Sequence, residues 1–157
     1  MNQSRIKTIA VYSAALLITT SVHHVYGAVV YHTPWRLHVL FMSVPVLIIT
    51  FVLYRLLKTR EGRFRSFAYW TFVLITILFS AASIGVYEGL YNHVLKNLLF
   101  FGASSSLLET LFPAPLYEMP NNFFFEITGV AQGFIALPLI GALIKEIRAR
   151  VSNEPVN

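Results

Sequence analysis

FAYWTFVLITILFSAASIGVYE, residues 67–88, carries no charged side chain until its last position. A helix needs about 20 apolar residues to cross the hydrocarbon core of a bilayer, and this run supplies them before Glu88 arrives. Read outward from here, the same signal recurs. Spans are expected over residues 8–31, 37–57, 67–91 and 123–144, the last with one charge, Glu126. The composition agrees: 56% of the 157 residues are hydrophobic and 12% charged, against about 25% charged in soluble domains. That leaves too little polar surface for a water-facing globule, and it excludes disorder. Cysteine is absent, which removes disulfides, thiol catalysis and thiolate metal sites. The net charge is +5, yet no basic run interleaves with aromatics, so nucleic acid is not an expected partner. The first span is too long for a signal peptide and lacks a small-residue cleavage site after it, so it reads as a retained helix. The expected fold is an all-α integral membrane protein, a four-transmembrane-helix bundle forming one domain over residues 1–157.

Lysine and arginine set the orientation. Of the 12 basic residues, only Arg36 and Lys96 fall outside three clusters. Those clusters are Arg5 with Lys7; Arg55, Lys58, Arg60, Arg63 and Arg65; and Lys145, Arg148 and Arg150. Both termini are therefore expected in the cytoplasm, with the turn at Thr33-Pro34 and a long loop over residues 92–122 facing outward. In a bacterium the membrane would be the plasma (inner) membrane. Residues 55–65 read mainly as a topology determinant, with anionic lipid as the alternative partner. Within the outer loop, Ser106 and Glu109 have the spacing of a capping box, which predicts a short interfacial helix through Phe112. Pro113, Pro115 and Pro120 impose an irregular segment over 113–122, either a lid over an outer cavity or a rigid connector. The tails, residues 1–4 and 152–157, read as frayed.

The polar residues gather at one depth. His23, His24, His32, His38 and His93 all lie toward the outer side, as do Glu88, Glu109, Glu118 and Glu126. An ionisable group in a span costs about 2.5–3.5 kcal/mol at the membrane centre, so such groups face the bundle interior and find partners. Helical spacing puts Ala81, Gly85, Glu88 and Asn92 on one stripe, Asn122, Glu126, Gly129 and Gly133 on another, and Thr20, His24, Gly27 and Tyr31 on a third. Gly129 and Gly133 permit a close helix approach, including helix–helix oligomerisation. On a regular α-helix His23 points about 100° away from His24, so only His24 is expected at the centre. Glu88 and His93, five residues apart, diverge by about 140° and need a break near Tyr91-Asn92 to meet.

Three chemistries use such a set. Imidazole and carboxylate suit Zn, Fe or Cu, with His24, His38, His93, Glu88 and Glu126 as candidate ligands, although no Glu-x-x-His or HExxH motif is present. Glu88, Glu126 and His24 could instead move a proton on a lipophilic small molecule. Trp35, Tyr26, Tyr87 and Tyr91 would then line the pocket and Arg36 would contact an anionic group; the same aromatics also serve as interface anchors. Haem b held by His24 and His93, or by His23 and His38, is the third, limited to one haem because all histidines lie on one side. The leading expectation is a metal-dependent membrane enzyme acting on a lipophilic substrate at a His/Glu-rich outer-facing chamber. The alternatives are a cofactor-free Glu/His isomerase or transferase, and a non-enzymatic membrane subunit or assembly factor using Gly129 and Gly133 as its partner face.

Overall fold

The computed structural model describes residues 2–152; Met1 and residues 153–157 of the expected frayed tails lie outside them. Helix α1 spans Gln3–Val30, α2 His38–Thr59 after a 3-10 turn at Pro34–Leu37, and α3 Gly62–Gly102. Helix α4 spans Ser105–Leu111 and α5 Phe123–Val151. No strand occurs among the described residues. Helices α1, α2, α3 and α5 are long and apolar enough to cross a membrane.

The helix ends show where the sequence reading needs correcting. Residues 2–4 do not fray: Asn2 Oδ1 accepts from the backbone N–H of Ser4 and Arg5, at 3.0 and 3.2 Å, and satisfies two of the donors every helix start leaves open. Pro34 opens the turn into α2, where its missing N–H costs nothing. Gly62 opens α3 at φ 62°, a left-handed conformation that glycine reaches without a Cβ clash. The short helix α4 is capped by Ser104, whose Oγ accepts from Leu107 N at 3.4 Å, not by the Ser106–Glu109 pair. The largest departure is in α3. It does not end at Tyr91 but runs on to Gly102, so the connecting segment begins at Ala103. Asn92, His93, Lys96 and Asn97 look like loop residues in sequence, yet each bonds inward to a glutamate.

The middle of α3, Thr76–Leu95, is wound wider than an α-helix, with i→i+5 hydrogen bonding. Ser83 Oγ follows the same register, donating to Leu78 O at 2.8 Å. Its buried residues, Thr76, Ser80, Ala81, Ile84, Gly85, Gly89, Asn92 and His93, recur every four to five positions rather than every three to four. Windings of this kind are rare and concentrate at functional sites.

The four long helices form a ring in which α5 packs on α3 and α1, and α2 packs on α1. Helix α2 also meets α3, but through Gly62–Ile75, with no comparable packing against Thr76–Leu95. Lipid tails are as apolar as leucine, so helix association in a membrane relies on close fit. Small residues supply it here: a Cβ on Gly85 would strike Ala136, and one on Gly89 would strike the backbone of Gly133. The backbones of α3 and α5 thus touch at Gly89 and Gly133, within one chain. The apolar core, including Ile6, Ile9, Leu16, Leu57, Phe72 and Leu139, fills one half of the bundle. The histidines occupy the other.

Candidate metal centre

Three backbone devices bring the polar groups together. The wide winding of α3 is the first. In an i→i+5 ladder, residues five apart lie nearly one above the other, so Glu88 and His93 face the same way without any break at Tyr91-Asn92. The second is Gly129. A Cβ there would overlap the His93 ring, and its absence makes the slot in which that imidazole lies against α5. The third is the pair His23-His24 at the edge of α1. Contrary to the expectation from helical spacing, both reach one carboxylate atom: His23 Nε2 stands 3.6 Å and His24 Nε2 3.5 Å from Glu88 Oε1. Glu88 reaches between α1 and its neighbours, so one residue approaches its oxygen from each side.

His93 Nε2 is also 3.5 Å from Glu88 Oε1 and 3.1 Å from His23 Nε2. Three ligand-type atoms from α1 and α3 therefore close a triangle. Its sides of 3.1, 3.5 and 3.6 Å enclose a point about 2.0 Å from each corner, the distance at which zinc binds imidazole nitrogen or carboxylate oxygen.

Every outward-facing atom of this triad is fixed. His93 Nδ1 lies 3.0 Å from Glu126 Oε2, and since that carboxylate only accepts, His93 Nδ1 carries the proton. His23 Nδ1 lies 3.0 Å from Thr128 Oγ1, and the one hydroxyl proton of Thr128 has Phe124 O and Phe125 O within reach as well; when it goes to a carbonyl, His23 Nδ1 donates to Thr128. Asn92 Nδ2 donates to Glu88 Oε2 at 2.8 Å and turns Oε1 toward the imidazoles. Glu126 is held in turn by Asn97 Nδ2 at 2.8 Å and Lys96 Nζ at 3.3 Å. Carboxylate or hydroxyl behind each ligating histidine is the arrangement that fixes the imidazole tautomer at metal sites.

With both Nδ1 atoms donating, both Nε2 atoms present lone pairs to each other at 3.1 Å, and a cation among them, a proton or a metal ion, relieves the repulsion. With Thr128 donating to His23 Nδ1 instead, His23 Nε2–H donates to His93 Nε2 at the same distance.

Beside the triad lies a cavity of about 300 Å³. His24, Glu88, Asn92 and Lys96 make its polar end; Val39, Met42, Ile84 and Leu116 line the rest. His23 is not on the cavity wall and forms the floor of the site behind it. Two buried atoms here have no hydrogen-bond partner: His24 Nδ1 and Asn92 Oδ1.

The remaining candidates divide. His38 borders the cavity but its Nδ1 is bonded to Trp35 O at 2.6 Å and its ring stacks on Trp35, so it stands apart from the triad. Glu126 does not face the centre; it supports His93. Arg36 and Trp35 line the cavity, with Arg36 donating to Thr33 Oγ1 and Glu118 Oε1. Tyr26 packs on Phe124 and Tyr91 donates to Leu111 O, both away from the cavity wall. His24 and His93 both touch the same Glu88 oxygen, which leaves no slot for a haem plane between them.

The segment after α4 closes over the cavity. Lys96 Nζ donates to Glu118 O, Tyr31 donates to Asn121 Oδ1 at 2.6 Å, and the Tyr87 and Tyr117 hydroxyls pair at 3.0 Å. That pairing, with partial burial, pushes the Tyr117 phenol up to about 12. Burial and the nearby Glu126 and Glu118 carboxylates push Tyr31 up to about 12 as well.

No protein-family model, curated protein or solved structure matches the chain.

The site contains one residue that the sequence offered only as a haem candidate, His23, and supporting residues it did not single out, Thr128, Lys96 and Asn97. The signal available for His23 was the five-residue interval between Glu88 and His93, which a wide helix turns into a shared face.

Proposed function

We propose that this protein is a small multi-pass membrane metalloenzyme, with zinc held by His23 Nε2, His93 Nε2 and Glu88 Oε1. The single observation that carries this reading is the triangle of three ligand-type atoms from His23, His93 and Glu88, with sides of 3.1, 3.5 and 3.6 Å. Ligand separation favours zinc over iron: atoms about 2.1 Å from a tetrahedral ion stand ~3.4 Å apart, whereas neighbouring positions around an octahedral ion stand ~3.0 Å apart. Two of the three sides, 3.5 and 3.6 Å, lie nearer the first, and the third, 3.1 Å, nearer the second, with a mean close to the tetrahedral value. Three protein ligands with an open fourth position is the pattern of catalytic zinc, which activates a bound water or polarises a substrate oxygen.

The chain's own residues take the remaining roles. His24, beside Glu88 and facing the cavity, accepts or returns a proton at Nδ1. Glu126 and Thr128 hold the two ligating imidazoles in the tautomer that leaves Nε2 free. Phe125, stacked on His23 with ring centroids 4.1 Å apart, excludes water from behind. The charge bias of the flanking segments supports an orientation with both termini in the cytoplasm and the site toward the other side.

The test is metal content by plasma mass spectrometry with an absorption spectrum of the same detergent-purified sample. The expected result is one zinc per chain and no visible chromophore. Zinc is lost in His23→Ala and His93→Ala and retained in His38→Ala. Protein that holds no metal and rebinds none overturns the metal reading. A proton shared between His23 and His93 would then satisfy the same geometry, and Glu/His acid–base chemistry would take its place. Because the native chain lacks cysteine, single cysteines at Arg60 and Gly102 report the orientation by impermeant labelling without background.

A further inference from the structure

The cavity opens between two of the membrane-length helices, and the position of that opening follows from the helix packing. Helix α2 packs on α3 through Gly62–Ile75, with no comparable packing against Thr76–Leu95, so the two splay apart at the depth of the site. Val39 and Met42 from α2 and Ser83, Ile84 and Tyr87 from α3 line the cavity across this gap. Val39 and Ile84 are buried, forming its floor, while Ser83 and Tyr87 are exposed at its rim. Leu116 of the overlying segment closes the third edge.

The chemistry of the walls narrows what enters. About 300 Å³ is the small end of the range for ligand sites; it holds a head group and its first carbons, so a longer apolar tail stays in the bilayer. The two cations at the polar end are already paired: Lys96 with Glu126 and the Glu118 carbonyl, Arg36 with Glu118. An anionic head would therefore compete with Glu126 and Glu118 for them. Asn92 is nine-tenths buried, its Nδ2 is committed to Glu88, and its Oδ1 has no partner. An amide oxygen only accepts, so what it lacks is a donor. His24 Nδ1, equally buried and unpartnered, lies on the same wall.

We propose that the gap between α2 and the wide segment of α3 is a lateral portal for an uncharged single-chain amphiphile with a hydroxyl head. The hydroxyl donates to Asn92 Oδ1 with its oxygen toward the triad, and the chain runs out past Ile84 and Met42 into the bilayer. This names the substrate class for the metal site and rests on that reading for its catalytic meaning, while the portal itself stands on packing alone.

The test uses full-length protein in phosphatidylcholine nanodiscs and a long-chain alcohol bearing a photoreactive diazirine in its chain, with labelled residues located by mass spectrometry. Labels are expected on Val39, Met42, Ile84 and Leu116, competed by 1-dodecanol and not by dodecyl phosphate. Ser83→Trp, a rim substitution, is expected to remove these labels while zinc content stays unchanged. Labels confined to the outward faces at Phe41, Ile48 and Phe51 would overturn the portal, as would equal competition by dodecyl phosphate or labelling untouched by Ser83→Trp. Cavity labelling in protein that binds no metal would leave the portal standing and remove the metalloenzyme reading; zinc without cavity labelling would do the reverse.

Discussion

The two ends of the bundle each hold a glutamate among the helices, and they treat it differently. At the end near the chain termini, Glu146 is 1% exposed and meets Arg5 Nε at 2.9 Å. Arginine is always charged, so this carboxylate has a fixed countercharge, held by distance alone since neither Arg5 Nε nor Glu146 Oε2 makes a hydrogen bond. At the other end Glu88 meets no lysine or arginine; its Oε1 faces three imidazoles. Imidazole is a neutral base or a cation according to circumstance, so this carboxylate has a partner set whose charge is optional. A carboxylate with a fixed countercharge is structure. One whose neighbours are imidazoles is the kind of group that could hold a metal ion.

That contrast can be broken by exchanging the two glutamates' amides. Glu88→Gln is expected to have the largest effect on metal, abolishing stoichiometric zinc after dialysis while the protein stays monodisperse. Glu146→Gln should leave zinc unchanged. If both variants retained zinc, the distinction between the two ends would collapse. Next in size is Gly129→Ala. Its methyl group would displace the His93 ring, costing about 1–3 kcal/mol of overpacking and most of the zinc; an unfolding midpoint and metal assay on one sample check both. Glu126→Gln sharpens the comparison from the second layer. His93 keeps an acceptor but loses its anion, and zinc affinity is expected to fall about 10–100-fold, measured by competition with a chromophoric chelator.

The structural end gives the smaller numbers. Glu146→Gln should reduce stability by about 1–3 kcal/mol, a value held down because Arg5 is 35% exposed and water screens the charge left behind. Smallest is an alkaline titration. Tyr31 and Tyr117 are pushed up to about 12, so in the folded chain they stay protonated as pH passes 10, the ordinary phenol value. The folded state then binds more protons than the unfolded one between pH 10 and 12, so any stability these phenols lend is full below 10 and declines through that window. Absorbance of phenolate should show a late phase near pH 12 that shrinks in Tyr117→Phe.

The fold was largely legible because a bilayer leaves few options: an apolar run of sufficient length is a spanning helix, and four were written plainly. Glu88, Glu126 and His93 were legible for the same reason, since an ionisable side chain at that depth needs partners. Three things were hidden. Lys96 and Asn97 looked like loop because polarity reads as exposure, although here it answers Glu126. α-Helical geometry separates His23 from His24 and leaves it out of the metal set, as a haem candidate only; yet both imidazoles approach Glu88 Oε1. The wide winding of α3 has no residue code; only the recurrence of small or polar residues at Thr76, Ser80, Gly85, Gly89 and His93 hints at it, and that pattern is visible once the interval is known.

The wide segment also changes how much chemistry fits into a given depth of membrane. An α-helix climbs about 1.5 Å with each residue, and a ladder bonded five apart climbs more slowly while presenting more side chains per turn. Glu88, Asn92, His93 and Lys96 are thereby compressed into a thinner slab than an α-helix would give them. In a protein of 157 residues, that local crowding lets one helix supply a ligand pair, the group that orients it and a countercharge, tasks that would otherwise be divided among several helices.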